Sequence, residues 1–369
     1  MKRLSFQLIA LLMFDLFIQT SCSSATLAVS TATSTAPNQP TSIFPTETPA
    51  ISADIPTATQ ELSGGPLYVV INPPGEEYVD LQNAFVQTAN GLGANAKKLD
   101  DAYDKNASIN QVTDTMNTGA KGIAIEAFAP VMIGPSIARA AKTAGIALIA
   151  INAPINDANG KLLPLIKFDD KEMGRNVGKA ASKLLIESGW LKDPAKKVGV
   201  LSLEVKRQPF CNIRTDIAKA TMKASGVPAK QIFPLQYDII KVDSQDTTGA
   251  ILNAHPDITN WVVFGCTDSG VAGSLKAFDA AGVKTEDIIG IGIGAYEACI
   301  PWAAGRPTGF KADLNISLQE VGKTAATLLY EAVVNGKTPP AITIISTTII
   351  DPTNFKTIMD PVLLAKCNG

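Results

Sequence analysis

The sequence predicts an α/β fold built from doubly wound lobes, each with a parallel β-sheet at its centre. Three observations support this prediction. Short aliphatic runs recur along the chain and are apolar at successive positions, as buried strands of a parallel sheet are. Segments with helical spacing of apolar residues separate these runs, which is the alternation of doubly wound sheets. The segment from Pro66 to Gly369 is also long enough for two lobes with separate cores.

The N-terminus has the order of a bacterial secretory signal, which we place at residues 1–21. Two basic residues precede an apolar stretch from Leu8 to Ile18, which is shorter than the roughly 20 residues that span a bilayer. Cleavage before Cys22 would let its thiol carry lipid, although Gln19 and Asp15 are unusual in such a signal. We therefore expect an extracytoplasmic protein with a lipid anchor at Cys22; simple secretion and an uncleaved anchor are the alternatives.

Residues 22–65 predict a disordered tether. Ser, Thr, Ala and Pro dominate the segment, and Phe44 is its only aromatic residue. Such a composition buries too little apolar surface to offset the entropy lost on ordering. We expect a solvated spacer that holds the folded domain clear of a membrane surface.

Charge, histidine and cysteine content narrow the possible functions. Lysine plus arginine (32) nearly balance aspartate plus glutamate (34), so we expect no nucleic-acid partner. His255 is the sole histidine and the cysteine spacing matches no metal site, so neither a metal nor a cofactor is expected. The cysteines other than Cys22 allow three pairings on the oxidising side of the membrane, and a disulfide and buried free thiols both remain open. These cysteines are Cys211, Cys266, Cys299 and Cys367.

Aliphatic runs and apolar stripes mark the individual elements. The predicted strands are Leu67–Ile71, Gly122–Ile125, Ile146–Ile151, Val198–Leu203, Trp261–Phe264, Ile288–Ile293 and Gly309–Leu314. Among the helices, one stripe contains Tyr78, Leu81 and Phe85, and another begins at Ile213 and ends at Gly226, a residue typical of a helix C-terminus.

Polar and aromatic residues follow most of the predicted strands. Ligands of doubly wound lobes meet the carboxyl ends of the strands, so these residues are the candidates for binding. Amides, carboxylates, a guanidinium group and rings together suit a neutral polyhydroxy ligand, which needs donors, acceptors and apolar faces. Any single member could instead be an ordinary polar loop residue. The candidates are Asn72, Glu76, Tyr78, Glu126, Asn152, Phe168, Arg214, Thr267, Asp268 and Glu297.

Dinucleotide binding and enzymatic catalysis are the alternatives to binding of a neutral polyhydroxy ligand. The glycines of Gly290–Gly294 satisfy a loose dinucleotide fingerprint with Asp313 about 20 residues further on, but that fingerprint normally opens its fold. We expect these glycines to let the backbone approach a ligand or a neighbouring helix. No G-x-S-x-G or H-E-x-x-H motif is present, so no enzymatic activity is predicted. Pairs such as Glu76 with Glu126 leave glycoside hydrolysis as the enzymatic alternative.

A series of passages, in unchanged order along the chain, carries a family resemblance. They are Ala94–Asp100, Gly119–Gly122, Leu148–Ile151, His255–Pro256, Trp261–Gly265 with Asp268–Ser269, Asp287–Ile293 and Thr308–Phe310. With them the domain resembles the periplasmic sugar-binding proteins of ABC transporters, and within these the arabinose-binding members. The resemblance implies the type I fold, in which two lobes are joined by three hinge crossings and sugar binds between them. It places lobe one at residues 66–167 and about 317–338, and lobe two at 168–316 and about 339–369.

The resemblance extends to the binding residues only in part. Glu76 and Tyr78 match the family's acid and aromatic residue of the first helix, and Arg214 matches its arginine of the second lobe. At the other positions the chain has Asn72 for a lysine, Asn152 and Ala153 for two aspartates, Phe168 for a methionine, Thr267 and Gly294 for asparagines, Glu297 for an aspartate and Glu126 for a cysteine. These departures preserve the scaffold and predict a ligand other than arabinose.

The combined expectation is a monomeric solute-binding lipoprotein. It would close on a monosaccharide or polyol and deliver it to an ABC permease in the membrane. The same domain could instead be a sensor that presents its closed form to a membrane kinase or chemoreceptor, because both roles need export, two lobes and a ligand.

Overall fold

The computed structural model describes residues 64–206, 208–238 and 241–368, except for the side chains of residues 76–77 and 241–242. The predicted signal peptide, Cys22 and the tether up to residue 63 lie outside this part. Within it, no helix combines the length and apolar character needed to cross a membrane. The same residues contain no group of histidine, cysteine and carboxylate side chains that could hold a metal ion.

Two β-sheets with helices on both faces form two α/β lobes, as the alternation of apolar patterns predicts. Both lobes belong to one compact unit that includes every described residue. In chain order the elements are β1 (Leu67–Asn72), α1 (Glu76–Gly91), β2 (Asn95–Asp100), α2 (Lys105–Asn117), β3 (Gly122–Ile125), α3 (Pro130–Thr143), β4 (Ala147–Ile151), β5 (Leu165–Phe168), α4 (Asp170–Glu187), β6 (Val198–Glu204), α5 (Pro209–Ala224), β7 (Ile232–Gln236), α6 (Lys241–Ala254), β8 (Asn260–Gly265), α7 (Asp268–Ala280), β9 (Ile288–Gly294), α8 (Cys299–Ala303), β10 (Phe310–Asn315), α9 (Leu318–Val333), β11 (Ile342–Ile345), β12 (Thr348–Ile350), α10 (Phe355–Ile358) and α11 (Pro361–Lys366).

The two sheets have corresponding strand orders. Lobe one has the order β11-β5-β4-β3-β1-β2 and lobe two the order β12-β10-β9-β8-β6-β7. Neighbouring strands are parallel, except that β12 runs antiparallel to β10. In each lobe the first strand lies between the second and third strands, so the strand order reverses beside β1 and beside β6. Such a reversal opens a crevice at the carboxyl ends of the strands, where ligands bind.

The predicted strands correspond to inner strands of these sheets. The edge strands β2, β7, β11 and β12 lack the long apolar run that predicts the inner strands. In β2, for example, the sequence is Asn-Ala-Lys-Lys-Leu-Asp and its residues are partly or fully exposed. An edge strand pairs on one side and faces solvent on the other, so it does not require an uninterrupted apolar sequence.

The described chain passes between the lobes three times. These crossings follow β5, β10 and β11. The third crossing lies at residues 346–347, and the boundary predicted near residue 338 is therefore too early. The reason is β11, which extends the sheet of lobe one by pairing with β5 from Ile342 opposite Leu165 to Ile345 opposite Phe168.

The largest apolar cluster joins the two lobes. It includes residues of α1 and α9 packed on the first sheet and residues of α4 and α5 packed on the second. Separate clusters fill the opposite faces of lobe two and lobe one. The helices that carry Tyr78 and Arg214 are thus fixed by the shared core.

Candidate binding site between the lobes

In lobe one, Glu126 is the centre of a hydrogen-bonded group at the carboxyl ends of β1, β3 and β4. Tyr78 on α1 donates its hydroxyl to Glu126 Oε1 at 3.1 Å. Asn152 Nδ2 donates to Glu126 Oε2 at 2.8 Å. Asn152 follows β4 with a φ of 55°, a left-handed conformation that asparagine adopts more readily than most residues. The structure therefore brings together three of the residues that the sequence analysis selected.

In lobe two, Arg214 on α5 is held from several sides. Its Nε donates to Asp170 Oδ1 at 2.9 Å, and its Nη1 donates to the carbonyl oxygen of Cys266 at 3.4 Å. The Phe210 ring lies under the guanidinium group, 4.9 Å from its central carbon to the ring centroid. A guanidinium group has five N–H donors, and Nη2 has no hydrogen-bond partner among the described residues.

The Arg214 guanidinium also lies within electrostatic reach of lobe one. Burial lowers the pKa of Arg214, and the neighbouring Asp170 carboxylate opposes this effect. Smaller contributions in the same direction come from Tyr78 and Glu126. Groups from the two lobes therefore face each other across one site.

Buried carboxyl groups occupy the lobe-two end of the site. Asp268, the first residue of α7, accepts the backbone N–H of Glu297 at 2.9 Å, and Asp313 Oδ1 accepts that of Ala295 at 3.0 Å. Burial raises the pKa of Asp268 from 3.8 to about 7, and the negative charge of Glu297 adds to this shift. Burial, with the charge of Asp268, also raises the pKa of Asp313 well above its usual value.

The remaining predicted residues have different surroundings. Asn72 is fully buried at the end of β1, and its side-chain nitrogen and oxygen lack hydrogen-bond partners among the described residues. Thr267 caps α7 and its hydroxyl lies 2.9 Å from the Tyr237 hydroxyl, so it holds the helix start in place. Phe168 is buried within the shared apolar cluster. Glu76 begins α1, and its side chain is outside the described part.

The cysteines, whose pairing the sequence leaves open, form two disulfides. Cys211 pairs with Cys266, and Cys299 pairs with Cys367. The first joins the start of α5 to the residue after β8, beside the contacts of Arg214. The second joins α8 to the residue after α11.

Asp170 and Phe210 belong to the site and are missing from the predicted set. Asp170 directly follows the first crossing and is the first residue of α4. Phe210 lies four residues before Arg214 on α5, and residues with this spacing share a helix face. An amphipathic analysis of α5 centred on Arg214 could have identified Phe210.

Comparison with known proteins identifies the family. Residues 67–338 match the periplasmic binding protein domain. The chain belongs to this family of periplasmic binding proteins. It is similar to the "ABC transporter L-arabinose-binding periplasmic protein" of Azospirillum brasilense, with 30% identity over 246 residues, or 65% of this chain and 72% of the relative. The L-arabinose-binding periplasmic protein of Escherichia coli (strain K12) is 28% identical over 293 residues, which cover 78% of this chain and 88% of the relative.

Solved structures of periplasmic binding proteins have the same fold. One is a periplasmic solute binding protein of an ABC transporter from Actinobacillus succinogenes 130z with bound D-allose. Its TM-score is 0.66 at 14% sequence identity, and the match covers 79% of this chain and 99% of that one. At this identity the likeness concerns the fold alone.

In this periplasmic binding protein the apparent dinucleotide fingerprint has a structural role. Gly290–Gly294 lie inside β9 rather than in a loop between a strand and a helix. A Cβ atom at Gly292 would lie 2.0 Å from Asp313 Oδ2 and 2.7 Å from Asp268 Cβ. The glycine therefore lets the buried carboxyl groups pack against the strand. This agrees with the expected approach to a neighbouring helix, since Asp268 begins α7.

Proposed function

We propose that this chain is the extracytoplasmic solute-binding lipoprotein of an ABC importer and that it binds a monosaccharide or polyol between its lobes. The relatives named above are binding proteins, two of them named for L-arabinose. The bound solute would be delivered to an ABC permease, with the receptor acting as a monomer.

The observation that carries the proposal is the position of Arg214 opposite Tyr78 and Glu126. A ligand can close two lobes only if it binds the closed arrangement better than the open one, which requires contacts from both. Arg214 offers Nη2 from lobe two, and Glu126, which accepts from Tyr78 and Asn152, presents its carboxylate from lobe one. Sugar hydroxyls both donate and accept, so one ring can bridge these groups.

Asn72 supports the lobe-one side of the proposal. A buried amide without hydrogen bonds costs about 1–3 kcal/mol, and ligand hydroxyls would remove this cost. Glu76, Asn152 and Tyr78 would complete the contacts of that lobe, and Asp268 and Glu297 those of lobe two. Phe168 and Thr267 would support the site from the core and from the start of α7. A micromolar affinity requires about 8 kcal/mol, which several charge-assisted hydrogen bonds can supply.

Lipid at Cys22 would keep the receptor beside its permease. The order of charged, apolar and small residues before Cys22 supports this anchor. Cys22→Ser should move the protein from the membrane fraction of the cells that produce it to the soluble extracytoplasmic fraction. If the variant stays in the membrane fraction, the anchor is not lipid at this residue.

A thermal-shift panel tests the ligand class. It would contain L-arabinose, D-xylose, D-ribose, D-galactose, D-allose, glycerol and myo-inositol, each at millimolar concentration. A ligand at a hundred times its Kd stabilises the folded protein by about 2.7 kcal/mol. We expect at least one member to raise the melting temperature and L-arabinose not to give the largest shift. The reason is that Asn72, Asn152 and Ala153 replace charged partners, and charge-assisted hydrogen bonds are roughly twice as strong as neutral ones.

The outcomes of the panel are separable. If no sugar or polyol shifts the melting temperature, the proposed ligand class is wrong. If L-arabinose gives the largest shift, the class stands and the inference from the three replaced residues is wrong. Isothermal titration calorimetry with the strongest member then gives its Kd.

A further inference from the structure

The Cys211–Cys266 disulfide joins two segments of lobe two that bear proposed binding residues. Cys211 lies in the first turn of α5, three residues before Arg214. Cys266 lies between the end of β8 and the Thr267–Asp268 pair that begins α7. Both cysteines are fully buried. The bond therefore ties the helix that carries Arg214 to the segment that joins β8 to Asp268, the first residue of α7.

The disulfide is also in direct contact with the Arg214 guanidinium. Arg214 Nη1 lies 3.9 Å from Cys266 Sγ and donates to the Cys266 carbonyl oxygen at 3.4 Å. On the other side, Asp170 holds Nε at 2.9 Å. If α5 moved relative to β8, Nη1 would move away from Cys266 while Nε stayed bonded to Asp170. The guanidinium plane would then point in a different direction.

Among the described residues, no side chain caps the start of α5. Gln208 occupies the N-cap position and makes no side-chain capping hydrogen bond. Asn212 Nδ2 donates to the Lys206 carbonyl oxygen at 2.9 Å, which ties the helix only to the preceding loop. By comparison, Asp169 caps α4 and Thr267 caps α7 through their side chains. The disulfide therefore fixes the start of α5, as side-chain capping fixes the starts of α4 and α7.

We propose that the Cys211–Cys266 disulfide is a positioning element that sets the orientation of Arg214, so that sugar affinity depends on the oxidised bond. The inference rests on the proposed function in that Arg214 is taken to bind the sugar. It goes further because it gives the Cys211–Cys266 bond a role in sugar affinity as well as in the stability of the fold. The receptor would then reach full affinity only after folding on the oxidising side of the membrane.

The Cys299–Cys367 disulfide provides a matched control. Both of its cysteines also lie in lobe two, and its sequence separation is 68 against 55, so removing either bond should cost comparable stability. Its contacts do not include Arg214. Any effect of this bond on affinity should therefore be independent of Arg214.

The first experiment compares two double variants of the full chain, Cys211→Ser/Cys266→Ser and Cys299→Ser/Cys367→Ser. Their Kd is measured by calorimetry for the member of the sugar and polyol panel that gives the largest thermal shift. We expect the first variant to bind at least about tenfold more weakly, the loss of roughly one charge-assisted hydrogen bond. In an Arg214→Ala background the same bond removal should cause little further loss, whereas the effect of removing Cys299–Cys367 should be unchanged. If the serine pair does not fold, Cys211→Ala/Cys266→Val retains an apolar contact and replaces it.

A second readout needs no sugar. Phenylglyoxal modifies accessible guanidinium groups, and mass spectrometry of the peptides gives the rate at each arginine. Arg214 is largely shielded, with 12% of its side chain exposed, whereas Arg175 on α4 is exposed and serves as the internal reference. Removal of Cys211–Cys266 should increase the rate at Arg214 relative to Arg175, and removal of Cys299–Cys367 should not.

The two readouts distinguish the possible failures. If no panel member binds the unmodified protein, the proposed function fails and the phenylglyoxal rates alone decide whether the disulfide positions Arg214. If a sugar binds and both the Kd and the Arg214 rate are unchanged without the bond, the inference is overturned and the proposed function stands. Equal losses of affinity with and without Arg214 would also overturn it, because the bond would then act through general stability.

Discussion

Arg214 has a residue-level geometry that a lysine cannot reproduce. Its planar group contacts Asp170, the Cys266 carbonyl and the Phe210 ring at the same time and still has Nη2 available. We expect Arg214→Lys to weaken sugar binding at least tenfold, or about 1.4 kcal/mol, because an ammonium group cannot make these directed contacts together. Calorimetry measures the affinity, and Arg175→Lys on the exposed face of α4 is the control. Unchanged affinity would mean that Arg214 only pairs with Asp170 and does not bind the sugar.

The raised pKa of Asp268 gives a second residue-level prediction. Its carboxyl group is buried near Glu297 and Asp313, and its pKa rises from 3.8 to about 7. The folded state therefore retains a proton that the unfolded state releases from about pH 4 upward, so the free energy of unfolding falls as pH rises towards 7. Asp313 acts in the same direction.

Thermal melts of the ligand-free protein at pH 5 and pH 8 measure this effect. We expect a lower melting temperature at pH 8 and a smaller difference in Asp268→Asn, because the amide does not ionise. Asp114→Asn, at an exposed position on α2, is the control and should keep the full difference. A pH dependence that is identical in Asp268→Asn and the unmodified protein would contradict the prediction.

At the level of elements, burial decides which strands could be predicted from the sequence. Inner strands such as β4 and β8 are covered on both faces and have the apolar runs that identified them. Edge strands such as β2 and β11 have one side in solvent and lack these runs. Because the sequence pattern does not predict β11, the predicted position of the third crossing is too early in the chain. The strand ends led to Glu126, Asn152 and Arg214, and the structure places these residues near one another because topology brings the strand ends together. The partners of Arg214 could not be found this way, since Asp170 reaches it only through helix packing.

The packing of α4 on α5 depends on Gly174. A Cβ atom there would lie 2.5 Å from the Arg214 carbonyl oxygen and 2.9 Å from Ile217 Cβ. Gly174→Ala should therefore push the helices apart, lower the free energy of unfolding by about 1–3 kcal/mol and weaken sugar binding as Asp170 moves from Arg214.

Gly249→Ala on α6 is the matched control for this prediction. Apart from its neighbours in the helix backbone, no described atom lies within 4 Å of a Cβ placed at Gly249, so the substitution should stabilise the helix by up to about 1 kcal/mol. Urea denaturation measures both variants. A Gly174→Ala variant as stable as the unmodified protein would show that α4 can shift without disturbing the site.

At the level of the whole molecule, an ion pair connects the lobes beyond the shared core. Lys366 on α11 of lobe two places its Nζ 2.8 and 2.9 Å from the two carboxylate oxygens of Asp80 on α1 of lobe one. Asp80 is 5% exposed and Lys366 41% exposed at the side chain. The carboxylate is thus the buried partner, and it lies on the helix that carries Tyr78.

Lys366→Met should lower the free energy of unfolding by about 1–2 kcal/mol, between the values for exposed and buried pairs, because it leaves the Asp80 charge buried without its partner. Adding Asp80→Asn should recover part of that loss, since the double variant contains no unpaired buried charge. Lys197→Met, which breaks an exposed pair with Asp257 at 3.4 Å, should change stability by less than about 1 kcal/mol. Urea denaturation of the unmodified protein, Lys366→Met, Asp80→Asn and the double variant gives the coupling energy between Asp80 and Lys366. If the loss in the double variant equals the sum of the losses in the two single variants, the pair does not couple, and the apolar cluster shared by α1, α4, α5 and α9 holds the lobes together without it.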